Sequence, residues 1–204
     1  MFGLLKSKKI NDYRKFRWFF TSNGILVVGG KSDDQNELVI RNFLKPSYTV
    51  VHTTSPGSPF MIIQSDNPSR KDLEEAAVFC ACFSKQWKNL KNGKEKIEID
   101  IFQGDQIYKT KMMKKGTFGV KNIKEKLKVI PEINVIFQKG KLRTVPISKD
   151  NIKNNEILAE IKPGKLTKEE ASNKIFKKIK DKYHFPISKE EILQAIPSNN
   201  MNVR

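Results

Sequence analysis

The stretch that most limits what this chain can fold into is Phe16 to Leu44, FRWFFTSNGILVVGGKSDDQNELVIRNFL. Phe16, Trp18 and Phe20 alternate with Arg17, Phe19 and Thr21, so one strand face is strongly apolar. Ser22-Asn23-Gly24 supplies a turn and Ile25 to Val28 an apolar return run, which together predict a hairpin. Gly29-Gly30 then frees the backbone to change direction. Ser32 followed by Gln35 is a capping-box pattern, and it opens a helix whose Leu38, Val39, Phe43 and Leu44 face a core until Lys45-Pro46 stops it. The junction between strand and helix gathers Lys31, the backbone N–H groups of Gly29 and Gly30, and polar Asp33, Gln35 and Asn36. Helix N-termini attract anions, phosphate included. Asp33 and Asp34 compete with such an anion, and no G-x-G-x-x-G or G-x-x-x-x-G-K-[ST] pattern supports dinucleotide or P-loop binding.

Downstream, Tyr48 to His52 and Phe60 to Ile63 read as short strands flanking the hydroxyl-rich loop Thr53 to Pro59. Ser69 to Leu90 reads as one helix, with Leu73, Ala76, Ala77, Cys80, Ser84 and Trp87 on a stripe and Asn92-Gly93 after its end. Lys96 to Phe102 alternates as a strand. The window Gln106 to Lys128 holds eight lysines against Glu125 alone, arranged as short strands around a turn at Gly116. A window of that kind has little charge neutralisation of its own, and a phosphate backbone would supply it.

From Pro131 the pattern gives a second hairpin, Ile133 to Phe137 and Leu142 to Val145, then a strand at Ile157 to Ile161. Thr167 and Glu170 box the start of a helix with Ala171, Ile175, Ile179 and Tyr183 on one face. Ser188 and Glu191 cap a short last helix closed by Pro197. The predicted class is α+β, a mostly antiparallel sheet built from hairpins, covered by the long helix and followed by a C-terminal helical extension. Three parts are expected: a basic N-terminal arm at 1–12, a core at 13–128, and an extension at 129–204 packed as one unit with the core.

Charge narrows the function classes. The 39 Lys+Arg against 22 Asp+Glu leave +17, which favours polyanionic partners such as nucleic acid, ribosomes or an anionic membrane surface. No run approaches the roughly 20 apolar residues of a spanning helix, so membrane insertion is not expected. Cys80 and Cys82 point to different sides of a helix, and with only His52 and His184 beside them no metal site is expected; a reducing cytoplasm fits. His52 ends a strand beside the 53–59 loop, where a nucleotide can stack on it or bond to it, but no orienting partner for acid/base work is visible.

Several of these residues occur together in a known family. Trp18-Phe19, Ser22, Gly24, Gly29-Gly30 with a following basic residue, and Asn36-Glu37 resemble the opening of the NFACT-R domain, the RNA-binding module of NFACT proteins. Ser84-Lys85-Gln86-Trp87 resembles the family's helix ending, and Gln106, Lys109, Gly116, Thr117 and Phe118 resemble its basic stretch. The order of elements after Pro163-Gly164 is similar to the C-terminal part of archaeal NFACT proteins, so the resemblance runs from about Tyr13 to Val203. His52 and Gly57 match the family's His-Ala-Asp and Gly-Ala segment, but Thr53-Thr54 stands in place of Ala-Asp, which removes support for acid-dependent chemistry or a metal contact there.

The resemblance implies RNA binding, to tRNA or to rRNA on the large ribosomal subunit, in ribosome-associated quality control. No enzymatic activity and no cofactor are expected. The NFACT-N, helix-hairpin-helix and coiled-coil parts of full-length NFACT proteins do not appear in this sequence, so this chain alone is not expected to drive tail synthesis, and two modes stay open: work with a separate NFACT-N-containing protein, or independent binding. The expected RNA-contacting residues are Lys31, Asn36, His52, Ser58, Lys109, Lys111, Lys114, Lys115, Lys121 and Lys124. Two rival readings remain: an RNA-processing or modifying enzyme using His52, and a nonspecific binder of DNA or anionic membrane.

Overall fold

The computed structural model describes residues 12–91, 93–146, 156–182 and 187–204. The expected arm, apart from Asp12, lies outside these residues, as do Asn92 and Tyr183 of the expected helix ends. The hairpin forms as β1 (Arg17–Phe20) and β2 (Leu26–Gly29), antiparallel, with Arg17 opposite Gly29 and Phe20 opposite Leu26. Next come α1 (Asp33–Phe43), β3 (Thr49–Thr53), β4 (Met61–Ile63), α2 (Arg70–Cys82) and β5 (Ile97–Gln103). A two-stranded ribbon, β6 (Ile107–Tyr108) with β7 (Gly119–Val120), precedes β8 (Glu125–Val129). The main sheet has the order β1-β2-β4-β3-β5-β8, every pair antiparallel.

Both faces of this sheet are covered. Phe16, Trp18, Val28, Val50, Ile62 and Phe102 pack with Val39 of α1 on one face. Phe19, Val27, Val51, Met61, Ile99 and Ile101 pack with Ala76, Ala77, Phe79 and Cys80 of α2 on the other. Alternation in β1 predicts a polar second face, and here the structure differs: Phe19 is fully buried beneath α2, because a central sheet with helices on both sides leaves no solvated face. The small residues of α2 let it lie close on the sheet, and its N-terminus carries a complete Ser69–Asp72 capping box.

The long helix is shorter than its pattern. It ends at Cys82, where Phe83 departs from helical geometry and Ser84 Oγ donates to the Ala81 carbonyl at 2.8 Å. A 3-10 turn, Lys85–Asn89, carries Trp87 into the interior instead. Side-chain bonding to the backbone offers the chain an alternative to further helix.

A second sheet, order β10-β9-β11-β12, is built from β9 (Ile133–Gln138), β10 (Lys141–Pro146), β11 (Ala159–Leu166) and β12 (Met201–Val203). Lys139 and Gly140 both take positive φ, 52° and 72°, the geometry a two-residue hairpin turn needs. The expected strand at 157–161 instead runs from Ala159 to Leu166, with an irregularity between Pro163 and Leu166 where it meets β12. Proline at a bulge removes no ladder bond. Helices α3 (Lys168–Lys182) and α4 (Lys189–Ala195) cover this sheet through Ala171, Ile175, Ile179 and Ile192. Helix α2 touches both sheets, with Cys80 in the first core and Cys82 in the second.

Candidate nucleic-acid interface

Two adjoining recesses form a groove at the N-terminus of α1. The first, about 190 Å³, lies among Arg17, Lys31, Ser32 and Phe83. The second, about 370 Å³, lies among His52, Phe60, Thr117 and Phe118. Asp33, Asn36, Gly57, Ser58 and Lys85 border both.

The strand-to-helix junction builds one wall. Ser32 Oγ accepts from the Gln35 N–H at 3.3 Å, as the capping pattern requires, while Gln35 Oε1 accepts from the Lys31 N–H at 3.0 Å. Asn36 is 8% exposed and its side chain has no hydrogen-bond partner among the described residues. Its Oδ1 lies against Gly30, where an added Cβ would fall 2.3 Å from that oxygen and 2.7 Å from the Asn36 backbone nitrogen. Glycine at position 30 is therefore a condition of the helix starting here.

The 53–59 loop builds the opposite wall and is pinned throughout. Ser58 Oγ accepts from the Thr53 N–H at 2.9 Å, Thr53 Oγ1 donates to the Ser55 carbonyl at 2.6 Å, and the Lys85 N–H donates to the Gly57 carbonyl at 2.8 Å. Gly57 takes φ of 109°, open to glycine and costly for other residues. A loop held this way presents its backbone and Lys85 without an ordering cost on binding.

The electrostatics are one-sided. Burial holds the Lys31 ammonium below the ordinary lysine value, and repulsion from Arg17, Arg143 and Lys168 adds to it. Lys168 is lowered by burial and then by Arg17, and burial lowers Arg17 to about 10. Arg143 is lowered by burial and partly restored by Glu191 and Tyr13. Arg17 lies over the Phe83 ring at 4.1 Å and Arg143 over Trp18 at 4.5 Å, and neither guanidinium has a salt bridge among the described residues. Arg17 and Lys31 therefore line the first recess as cations, with Arg143 and Lys168 close enough to repel Lys31 though neither borders a recess.

His52 is half-buried and packs its ring on Phe60, centroids 4.4 Å apart. Its Nδ1 lies 2.7 Å from the Thr53 carbonyl, so that nitrogen carries the hydrogen and Nε2 is an acceptor. Burial lowers its pKa, against the raising effect of the backbone contacts and Asp100, so the ring is neutral near pH 7. Phe118 meets Phe60 edge-on at 5.5 Å and completes an aromatic wall.

Acids distant in sequence neutralise part of the lysine window. Lys109 pairs with Glu37 and donates to the carbonyls of Lys114 and Thr117 at 2.8 and 2.9 Å, and Lys115 pairs with Asp34. Lys126 pairs with Glu98 at 3.1 Å and Asp100 at 3.3 Å. Lys111, Lys114, Lys121 and Lys124 are exposed with no ion pair among the described residues.

Of the expected site residues, Lys31, Asn36, His52 and Ser58 come together in the groove, and the ribbon carrying the lysines forms its lip through Gly116 to Phe118. Sequence reasoning missed Arg17 and Lys85. Arg17 reads as the solvent side of a strand, and Lys85 lies far from the junction in sequence. Among the described residues no group of three or more potential ligands could hold a metal ion, and no helix is long and apolar enough to cross a membrane.

What the geometry describes is an α+β module with a cationic groove and an aromatic wall. A family model for the NFACT protein RNA binding domain matches residues 15–122, more than half the chain, and the chain belongs to that family. It is 32% identical over 88 residues to the Drosophila melanogaster ribosome quality control complex subunit NEMF homolog, a match covering 42% of this chain and 9% of that protein. The human ribosome quality control complex subunit NEMF is 31% identical over 90 residues, covering 42% of this chain and 8% of that protein. The archaeal Rqc2 homolog aRqcH of Methanocaldococcus jannaschii is 28% identical over an alignment of 206 positions, which covers 94% of this chain and 29% of that protein. The chain therefore spans only a small part of the curated relatives it matches. The solved C-terminal part of the fibronectin/fibrinogen-binding protein from Streptococcus suis shares the fold, with TM-score 0.51 and 22% identity over 74% of this chain and 52% of that one.

Proposed function

We propose that this chain binds RNA through the groove between α1 and the 53–59 loop and acts, without catalysis, in ribosome-associated quality control. The observation that carries this reading is the set of cations lining the groove, Arg17, Lys31 and Lys85, none with a salt bridge among the described residues, beside the aromatic wall of His52, Phe60 and Phe118. Backbone phosphates neutralise the first and unstacked bases use the second, which favours single-stranded segments over duplex. Membership of the RNA-binding family supports it, and so do the names of the ribosome quality control relatives. tRNA, and rRNA of the large ribosomal subunit, are the RNAs proposed, and a protein carrying NFACT-N is the proposed protein partner.

The hydroxyls that an enzyme would need are otherwise engaged. Ser58 Oγ is held by the Thr53 N–H and Thr53 Oγ1 by the Ser55 carbonyl, and neither is bonded to the His52 ring. A nucleophile and its base belong within hydrogen-bond reach of each other.

The test is binding to tRNA, large ribosomal subunits and length-matched duplex DNA across a salt series, for wild type and Lys31→Ala/Lys85→Ala. Preference for tRNA or subunits at physiological salt, reduced in the double variant, supports the reading. Equal binding to all three polyanions that tracks lysine count alone overturns it in favour of nonspecific polyanion binding.

A further inference from the structure

Resting on the RNA-binding reading, we infer that the groove holds one nucleotide taken out of the stack, with its phosphate in the smaller recess and its base in the larger. The smaller recess is bordered by Arg17, Lys31 and Lys85 and opens on the first turn of α1. Lys31 and Lys85 have no acid partner among the described residues, and Arg17, stacked on the Phe83 ring, has no salt bridge among them either, so its guanidinium hydrogens suit an anion in the recess. The larger recess has the complementary chemistry: the half-buried Phe118 ring, backed edge-on by buried Phe60, for a base to lie against, and the His52 ring at its border. The two volumes, about 190 and 370 Å³, together fall in the usual range of about 300–1,000 Å³ for small-ligand sites.

Asn36 stands where the recesses meet. It borders both, is 8% exposed, and its amide makes no hydrogen bond among the described residues. The unpaired buried atom is Asn36 Oδ1, beside Gly30 on the border of the smaller recess, and a nucleotide donating a hydrogen bond to that oxygen removes the cost of leaving it unpaired. Asp33, exposed on the rim, is the carboxylate that borders both recesses and opposes the phosphate. Duplex RNA cannot present this unit, since its bases are stacked and its phosphates lie on a rigid surface. The exposed Lys111 and Lys114, on the ribbon that forms the lip, lie where the strand would continue.

Full-length protein is titrated with 5′-AMP and 5′-UMP, and separately with adenosine and with inorganic phosphate, by NMR and calorimetry, alongside tRNA binding. The expected result is that a nucleoside monophosphate binds roughly tenfold or more tighter than either part alone, since hydrogen bonds to charged groups supply that much. Phe118→Ala brings the monophosphate down to phosphate-like binding, and Arg17→Gln brings it down to adenosine-like binding. Because Arg17 also packs on Phe83, Lys85→Gln, at an exposed position, repeats the phosphate-side loss with the fold undisturbed. Monophosphate binding no tighter than phosphate, with tRNA binding intact, overturns this inference alone. Loss of all RNA binding by the wild type overturns the underlying reading as well.

Discussion

Gln138 uses both ends of its amide on one residue of the neighbouring sheet: its Oε1 accepts from the Phe20 N–H at 2.8 Å and its Nε2 donates to the Phe20 carbonyl at 2.9 Å. A side chain of β9 thus extends the ladder of the edge strand β1, satisfying backbone groups that the sheet leaves open. Gln138→Ala leaves both unpaired and is expected to cost about 1–3 kcal/mol. Urea unfolding monitored by tryptophan fluorescence measures it, and a variant as stable as wild type shows that water replaces the amide.

Lys109 and Lys111 are two residues apart and are expected to fail differently. Lys109→Ala removes a cation that bonds Glu37 and two carbonyls of its own loop, so it lowers stability by about 1 kcal/mol. Lys111→Ala leaves the fold unchanged and reduces the salt dependence of RNA binding, by about 0.7 in the log–log slope for a single-strand phosphate contact. Thermal melts and salt titrations of the two variants separate these outcomes.

At Gly30 the backbone of α1 comes too close for a side chain. Gly30→Ala forces the first turn of the helix away, and the expected effect is a loss of about 1–3 kcal/mol in stability together with weaker RNA binding. Hydrogen exchange at residues 33–37 reads the local displacement.

Asp33→Asn is expected to raise RNA affinity by severalfold, by removing the acid that borders both recesses while keeping a polar group at the helix start. The gain is largest at low salt, where electrostatic terms are least screened. Filter binding at two ionic strengths checks it; a loss of affinity would mean that the carboxylate itself contacts the ligand.

His52 makes stability depend on pH in a defined direction. Its folded pKa lies below the ordinary 6.5, so as pH falls past that value the unfolded chain takes up a proton that the fold resists. Stability is therefore full above about pH 6.5, declines as pH drops towards the folded value, and levels off below it. Melting curves of wild type and His52→Gln between pH 7.5 and 5 should converge as pH falls, because only the wild type carries this term.

Much of the fold was legible from local pattern. The hairpin, the Ser32, Ser69, Thr167 and Ser188 helix starts, and the turn at Lys139-Gly140 are each set by residues within a few positions of one another. What local pattern could not reveal came from tertiary packing. Phe19 is buried because α2 covers the second face of β1, the long helix breaks where Ser84 bonds backward, and β12 is three residues without a distinctive signal. The groove was half legible for the same reason. Lys31, Asn36, His52 and Ser58 sit at a turn or strand end that sequence marks, whereas Arg17 and Lys85 join them only through folding.

Helix α2 and the turn after it carry one further implication. Cys80 is sealed under the first sheet, with its thiol pushed up to about 12 by burial, while Cys82 and Trp87 are sealed under the second. A fragment cut after Lys128, where the expected core ends, would strip the cover from Cys82 and Trp87 and present an oily patch. Anyone trimming this protein for biophysical work should expect that shortened version to clump, and Cys82, buried in the 204-residue chain, to become open to oxidation, while Cys80 stays sealed under the first sheet.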